Sequence, residues 1–164
     1  MSIAARGGRA PRRRAGALAA LLVALAGCAS PGLRVDELQP SMFAPSLNVD
    51  LAASTRSPGG FYYRDLAVGG GEAVQRGDQV TVRYTGWLPN GSPLEPPRPE
   101  PSVVTFRVGG GQVIPGWERG VVGMHEGGRR QLVLPPALGY GPRTYGSVPP
   151  NSVLVFVIEV MEVR

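Results

Sequence analysis

Val80-Thr81-Val82-Arg83-Tyr84-Thr85-Gly86 alternates apolar and polar side chains, the period-two signature of a strand with one buried face. Val80, Val82 and Tyr84 share the face expected to meet a core, and Thr81, Arg83 and Thr85 share the other. Downstream, Asn90-Gly91 supplies a turn at which positive φ is easy. Val104, Phe106 and Val108 then alternate with Val103, Thr105 and Arg107, predicting a second strand. Leu132-Val133-Leu134 predicts a third, stopped by Pro135-Pro136. Residues 153–158 form an unbroken apolar run, which predicts a strand buried on both faces. Upstream, residues 61–68 predict a further strand, closed by Gly69-Gly70-Gly71. One short helix is predicted over 115–122: Pro115 suits a first helical turn, Gly123 can end it, and Trp117, Val121 and Val122 supply an apolar stripe. The fold class is α+β, an antiparallel sheet with one short helix packed on it. No internal repeat is present.

The 164 residues include 24 Gly and 17 Pro, a quarter of the chain, yet 43% are hydrophobic. That apolar fraction argues against disorder, and the length fits one domain of ordinary size. The net charge of +5 points superficially to nucleic acid. All 17 basic residues are Arg, however, and Arg6, Arg9, Arg12, Arg13 and Arg14 fall in the first 14 residues, where there is no acid. The remainder is neutral, so a basic groove able to release phosphate counterions is not expected.

The basic start is followed by an apolar run over 15–26, too short for a spanning helix, which needs about 20 residues. The pattern fits a secretory signal peptide over 1–27. Leu25-Ala26-Gly27-Cys28 looks like the lipobox of bacterial lipoproteins, in which the Cys sulfur is acylated and the chain is cut before it. Cys28, the single cysteine, is therefore the expected lipidation site and leaves no internal disulfide. Ala29 is not the Asp that marks inner-membrane retention. In a source with two membranes, the outer one facing the periplasm is favoured; otherwise, the outer face of the cell membrane. Residues 28–60 carry Pro31, Pro40, Pro45 and Pro58 but only one aromatic, Phe43, whereas ten of the 11 aromatics begin at Phe61. This step predicts a flexible tether over 28–60, with an end-to-end distance of about 30 Å as a coil, and a folded domain over 61–164.

The chemical inventory is sparse. His125 is the only histidine and reads as an exposed turn residue; with no second His or Cys, a metal site is not expected. No G-x-S-x-G elbow is present, and Gly109-Gly110-Gly111 lacks the Lys-Ser/Thr of a phosphate loop, so it reads as a turn before the helix. Glu118, Glu159 and Glu162 read as solvated faces. An enzyme of this composition works without nucleophile, metal, cofactor or proton relay. Rotation about an Xaa–Pro amide suits it: the reaction breaks no bond, yet takes tens to hundreds of seconds unaided. At the top of its barrier of about 18–20 kcal/mol resonance is lost and the carbonyl is less polar. A dry apolar pocket therefore favours the twisted amide over the planar one.

Order and spacing of four motifs make this specific: Val80-Thr81-Val82-Arg83-Tyr84-Thr85-Gly86, then Gln112-Val113-Ile114-Pro115-Gly116-Trp117-Glu118, Gly139-Tyr140-Gly141, and Val148-Pro149-Pro150-Asn151-Ser152-Val153-Leu154-Val155-Phe156. Across 61–163 the chain resembles the FKBP-type peptidyl-prolyl cis-trans isomerases, in a bacterial lipoprotein form. The resemblance implies a curved antiparallel sheet half-wrapped around one short helix. It implies Trp117 as the floor of a proline pocket and Tyr84, Val113, Ile114 and Phe156 as walls, with Val148 over one side. Tyr140, through its hydroxyl, and Ile114, through its backbone amide, would donate to a substrate carbonyl. The chain departs from the family at Leu94-Glu95, where Phe-Asp is usual, at Val104, where an aromatic is usual, and at Glu100, where the second of two arginines stands. Glu95 is expected to reach Tyr84, with Arg98 as a compensating partner. The loss of two rings from the pocket, at Leu94 and Val104, implies lower catalytic efficiency and weak macrolide binding. The implied partners are proline-containing unfolded or exported polypeptides and a membrane held through the lipid, with no nucleic acid and a monomeric state. The alternative is a weakly active FKBP-like binding or chaperone module at the membrane.

Overall fold

A computed structural model describes residues 33–96 and 101–164. Cys28 and the proposed signal peptide, as well as Arg98 and Glu100, lie outside the described residues. The chain forms β1 (Thr55–Ser57), β2 (Phe61–Ala67), β3 (Gln79–Trp87), β4 (Ser102–Arg107), α1 (Pro115–Gly120), β5 (Arg129–Leu134) and β6 (Leu154–Val163). All strands pair antiparallel in one sheet of order β1-β2-β5-β6-β3-β4. This is the expected α+β class, a curved antiparallel sheet around one short helix.

The period-two face of β3 is buried as expected: Val80 and Val82 join Phe106, Leu132, Leu134, Phe156 and Ile158 in a core under α1. The helix settles close because Gly116 and Gly120, four residues apart, face β5. A Cβ would stand 2.5 Å from Leu134 Cδ1 at the first and 2.6 Å from Leu132 Cδ1 at the second. Trp117 and Val121 are buried beside them. Val122, expected on the apolar stripe, is exposed, because the helix ends at Gly120 and Val121 is its C-cap. Arg130, buried on β5, secures that end. Its Nη1 donates to the carbonyls of Gly120 and Val122 at 2.9 and 3.3 Å, its Nε meets Asp65 at 2.6 Å, and its guanidinium lies 4.5 Å over the Tyr63 ring. A cation at the helix C-terminus complements the terminal carbonyls there.

Residues 33–60 are not the expected flexible tether. Three 3₁₀ turns, Val35–Glu37, Pro40–Met42 and Pro45–Leu47, form a strap across the sheet face opposite α1. Val35, Leu38, Phe43 and Leu47 are buried there against Val133, Val153 and Val155, with Tyr62 and Trp87 at the margin. Polar ties fix the strap: Ala44 N donates to Pro89 O at 2.7 Å, Gln131 Nε2 to Leu47 O at 2.8 Å, and Arg64 Nη2 to Asn48 O at 2.8 Å. Asp36 pairs with Arg56 on β1. The strap thus packs on, and β1 belongs to, the same sheet as the later strands. The strap also explains the unbroken apolar start of β6. Leu154 and Phe156 enter the core under α1 while Val155 meets the strap, and polar alternation resumes at Glu159 beyond it.

Candidate active site

The ten residues expected in the pocket come together. Tyr84, Leu94, Glu95, Val104, Val113, Ile114, Trp117, Tyr140, Val148 and Phe156 all line one cleft of about 810 Å³ on the helix side of the sheet. The rings at its base are packed edge to face: Tyr84 lies 4.6 Å from Trp117 at 74°, and Phe156 lies 5.2 Å from Trp117 at 88°. Such T-shaped arrangements are the favoured ones for aromatic quadrupoles. Phe106, at 6.2 Å, supports the indole from the core. The indole Nε1 is buried and has no hydrogen-bond partner among the described residues.

Local sequence dictates these positions. Ile114 is the N-cap of α1 in extended conformation, with Pro115 at the first helical position, and its carbonyl accepts from Trp117 N at 3.0 Å. Glu118, expected as a solvated side chain, instead accepts from Gly111 N at 2.9 Å and also binds Gly109 N, tying the triple-glycine turn to the helix. On β3, Gly86 leaves room for the Phe156 ring. A Cβ there would stand 2.5 Å from Phe156 Cε1 and 2.9 Å from Leu94 Cδ1. Leu94 N donates to Gly86 O at 2.9 Å, and Ser147 Oγ to Leu94 O at 3.3 Å, which joins the two loops flanking the cleft.

Glu95 meets Tyr84 as expected: the phenol donates to Oε1 at 2.6 Å. Ser102 Oγ donates to Oε2 at 2.6 Å, a partner that sequence reasoning missed; its position as the first residue of β4, facing Tyr84 in register, was the available signal. The Tyr84 phenol is pushed up to about 12, first by burial and then by the hydrogen bond to Glu95. Tyr140 is raised as well, by burial first and then by the phenol of Tyr145, so both hydroxyls remain donors at neutral pH. Tyr145, also missed, lines the cleft and stacks on Tyr140. His125 lies away from the cleft, half-buried rather than exposed, with Nδ1 3.0 Å from Gly71 O.

A spectrophotometric alkaline titration should therefore show one phenol ionising near pH 12, and Tyr84→Phe should remove that step. Because the folded value lies above the ordinary tyrosine value of 10.0, this phenol's contribution to stability is complete below pH 10 and is lost as the pH rises towards 12. A normal ionisation near pH 10 for all tyrosines would contradict the buried contact with Glu95.

Comparison with known proteins agrees with this geometry. Residues 70–161 match the family described as FKBP-type peptidyl-prolyl cis-trans isomerase. The chain is 42% identical over 106 residues to an FK506-binding protein of Neisseria meningitidis serogroup B, covering 64% of this chain and 97% of that protein. Among solved structures it resembles FkpA from Escherichia coli, at 38% identity and a TM-score of 0.60, covering 68% of this chain and 52% of that one. It also resembles AtFKBP13, at 36% identity and a TM-score of 0.59, covering 66% of this chain and 97% of that one. The chain belongs to the FKBP-type peptidyl-prolyl cis-trans isomerases and is a rotamase acting on proline-containing polypeptides.

Proposed function

We propose that the cleft accelerates Xaa–Pro rotation by desolvation, with the proline seated on the Trp117 indole and walled by Tyr84, Val113, Ile114 and Phe156. The observation that carries this reading is the edge-to-face cluster of Tyr84, Trp117 and Phe156 at the base of a mostly apolar cleft. Water excluded there is water that would otherwise solvate the polar planar amide, so the twisted state gains relative to it. Tyr140, held as a donor, offers its hydroxyl to a substrate carbonyl, and the Ile114 amide does likewise. Glu95 orients Tyr84 through their 2.6 Å hydrogen bond and takes no proton in the reaction. Leu94 and Val104 leave the walls less aromatic than in ring-lined relatives, which lowers catalytic efficiency and macrolide affinity.

The substrates are unfolded or newly exported polypeptides, met at a membrane surface by a monomeric enzyme held through acylated Cys28. The basic start, the apolar run and the Leu25-Ala26-Gly27-Cys28 pattern support this anchoring, on the outer membrane facing the periplasm or, in a source with one membrane, on the outer face of the cell membrane. Five residue steps separate Cys28 from Leu33, the first described residue. These reach at most about 18 Å, so the lipid would keep the isomerase close to the headgroups.

Acceleration of proline-limited refolding of a client protein tests the activity. Loss of acyl labelling and of membrane association in Cys28→Ala tests the anchor. Suppressed aggregation with no change in refolding rate would favour the alternative, a binding or chaperone module, to which the substituted walls at Leu94 and Val104 lend some support. A protein that stays membrane-bound after Cys28→Ala would refute the lipid.

A further inference from the structure

Of the large apolar side chains left exposed among the described residues, Leu66, Val68, Val103, Val122, Tyr145 and Met161, only Tyr145 lines the cleft. The residue is 61% exposed, yet its backbone is held in place. Tyr145 and Val148 exchange backbone hydrogen bonds of 3.1 and 2.9 Å across a two-residue turn, with Gly146 at φ 56°. Val148, 2% exposed, seats that turn in the core. One face of the Tyr145 ring is covered by Tyr140, with centroids 4.3 Å apart and planes 6° from parallel. Tyr145 makes no ring contact with Trp117, Tyr84 or Phe156, which pack against one another at the base. Aromatic surface is thus absent from the walls at Leu94 and Val104 and present at the rim.

We propose that Tyr145 is a substrate-contacting specificity residue, which together with Tyr140 forms a two-ring ledge for a bulky apolar side chain adjacent to the substrate proline. The proline occupies the base, and the ledge lies beside it along the cleft, within reach of a neighbouring residue rather than of the proline ring. Because the turn already holds the ring in place, contact with it costs little ordering entropy, the usual penalty for using an exposed side chain. The exposed ring is removed from water only when a large apolar neighbour covers it, so its contribution scales with that neighbour's size.

The test compares wild type, Tyr145→Ala and Tyr145→Phe on proline tetrapeptides bearing Gly, Ala, Leu or Phe next to the proline. With Leu or Phe there, Tyr145→Ala should lower kcat/KM about fivefold, the factor expected for one ring contact, and mainly through KM. With Gly or Ala there the loss should be small, and Tyr145→Phe should behave as wild type throughout. Equal losses on all four peptides would mean that the ring only supports Tyr140, and no loss on any would mean that it is idle; either result overturns the proposal. Absence of turnover by the wild type on every peptide would instead count against the function proposed for the cleft. In that case shifts of the Tyr145 ring resonances on adding the Phe peptide but not the Gly peptide would still support the ledge, and their absence would overturn it.

Discussion

Phe43→Ala should destabilise the isomerase by about 3 kcal/mol or more, the usual cost of emptying a buried aromatic site, although Phe43 lies well before the strands that build the cleft. The ring is 8% exposed and packs with Val35, Leu38 and Leu47 against Val133, Val153 and Val155. Those valines lie on β5 or beside and within β6, the strands that carry Leu134 and Phe156 on the opposite face. Total stabilities of single domains lie near 5–15 kcal/mol, so a loss of this size is readily measured by urea or thermal unfolding. A substitution in a flexible tether would move the midpoint by no more than about 0.5 kcal/mol, and that result would overturn the strap. Deleting 33–57 should go further, uncovering the apolar face and removing edge strand β1. The product should aggregate at concentrations where the full chain is soluble. Expression of the isomerase from Phe61 onward is the design that this packing warns against.

The strap was hidden in the sequence for a physical reason. Each 3₁₀ turn spans only three residues, and the buried side chains sit either within it (Val35, Leu47) or at its C-cap (Leu38, Phe43), so together they follow neither a period of two nor one of 3.6. Proline and serine spaced in this way carry the composition of a linker. What betrayed the strap was indirect: residues 153–158 lack polar alternation, which requires a cover on the second face of β6. By contrast β3 was legible because one of its faces meets the core and the other carries Thr81 and Arg83, paired with Thr105 and Glu159. The helix start was legible in Ile114-Pro115, but its end was not. Val122 lies past the C-cap, where Arg130, on the following strand β5, takes up the last carbonyls.

The cleft was readable to the extent that residue type and spacing fix position. Tyr84, Trp117, Tyr140 and Phe156 follow from four motifs in order, and all four line the same cavity. Glu95 reached Tyr84 despite its extra methylene, because Ser102 holds the other carboxylate oxygen at 2.6 Å. Ser102 is an ordinary strand-start serine in the sequence, and only its register opposite Tyr84 gives it this part. Tyr145 was missed for the same kind of reason. An exposed tyrosine in a Gly/Pro-rich loop has no periodic signal, and only the tight turn to Val148 brings it over Tyr140.

Trp117→Ala is expected to lower kcat/KM about a hundredfold. Trp117, 5% exposed, is in ring contact with Tyr84, Phe156 and Phe106 together. Its removal withdraws the floor from the cleft and admits water to the place where the amide carbonyl must lose polarity. If about 3 kcal/mol of barrier lowering depends on that dryness, the rate falls by about two powers of ten. Truncating a buried tryptophan also costs about 3–5 kcal/mol of stability, so activity must be read well below the variant's melting temperature. Trp117→Phe provides the control: it keeps an aromatic floor with a small void and should retain most of the rate. The proposed mechanism puts no proton in flight, with Tyr84 and Tyr140 held protonated and Glu95 engaged by two hydroxyls. The residual and wild-type rates should therefore be flat between about pH 6 and 9, without the bell shape of acid–base catalysis. A pH profile with an inflection in that range, or full activity in Trp117→Ala, would place the catalysis somewhere other than in the exclusion of water by this ring.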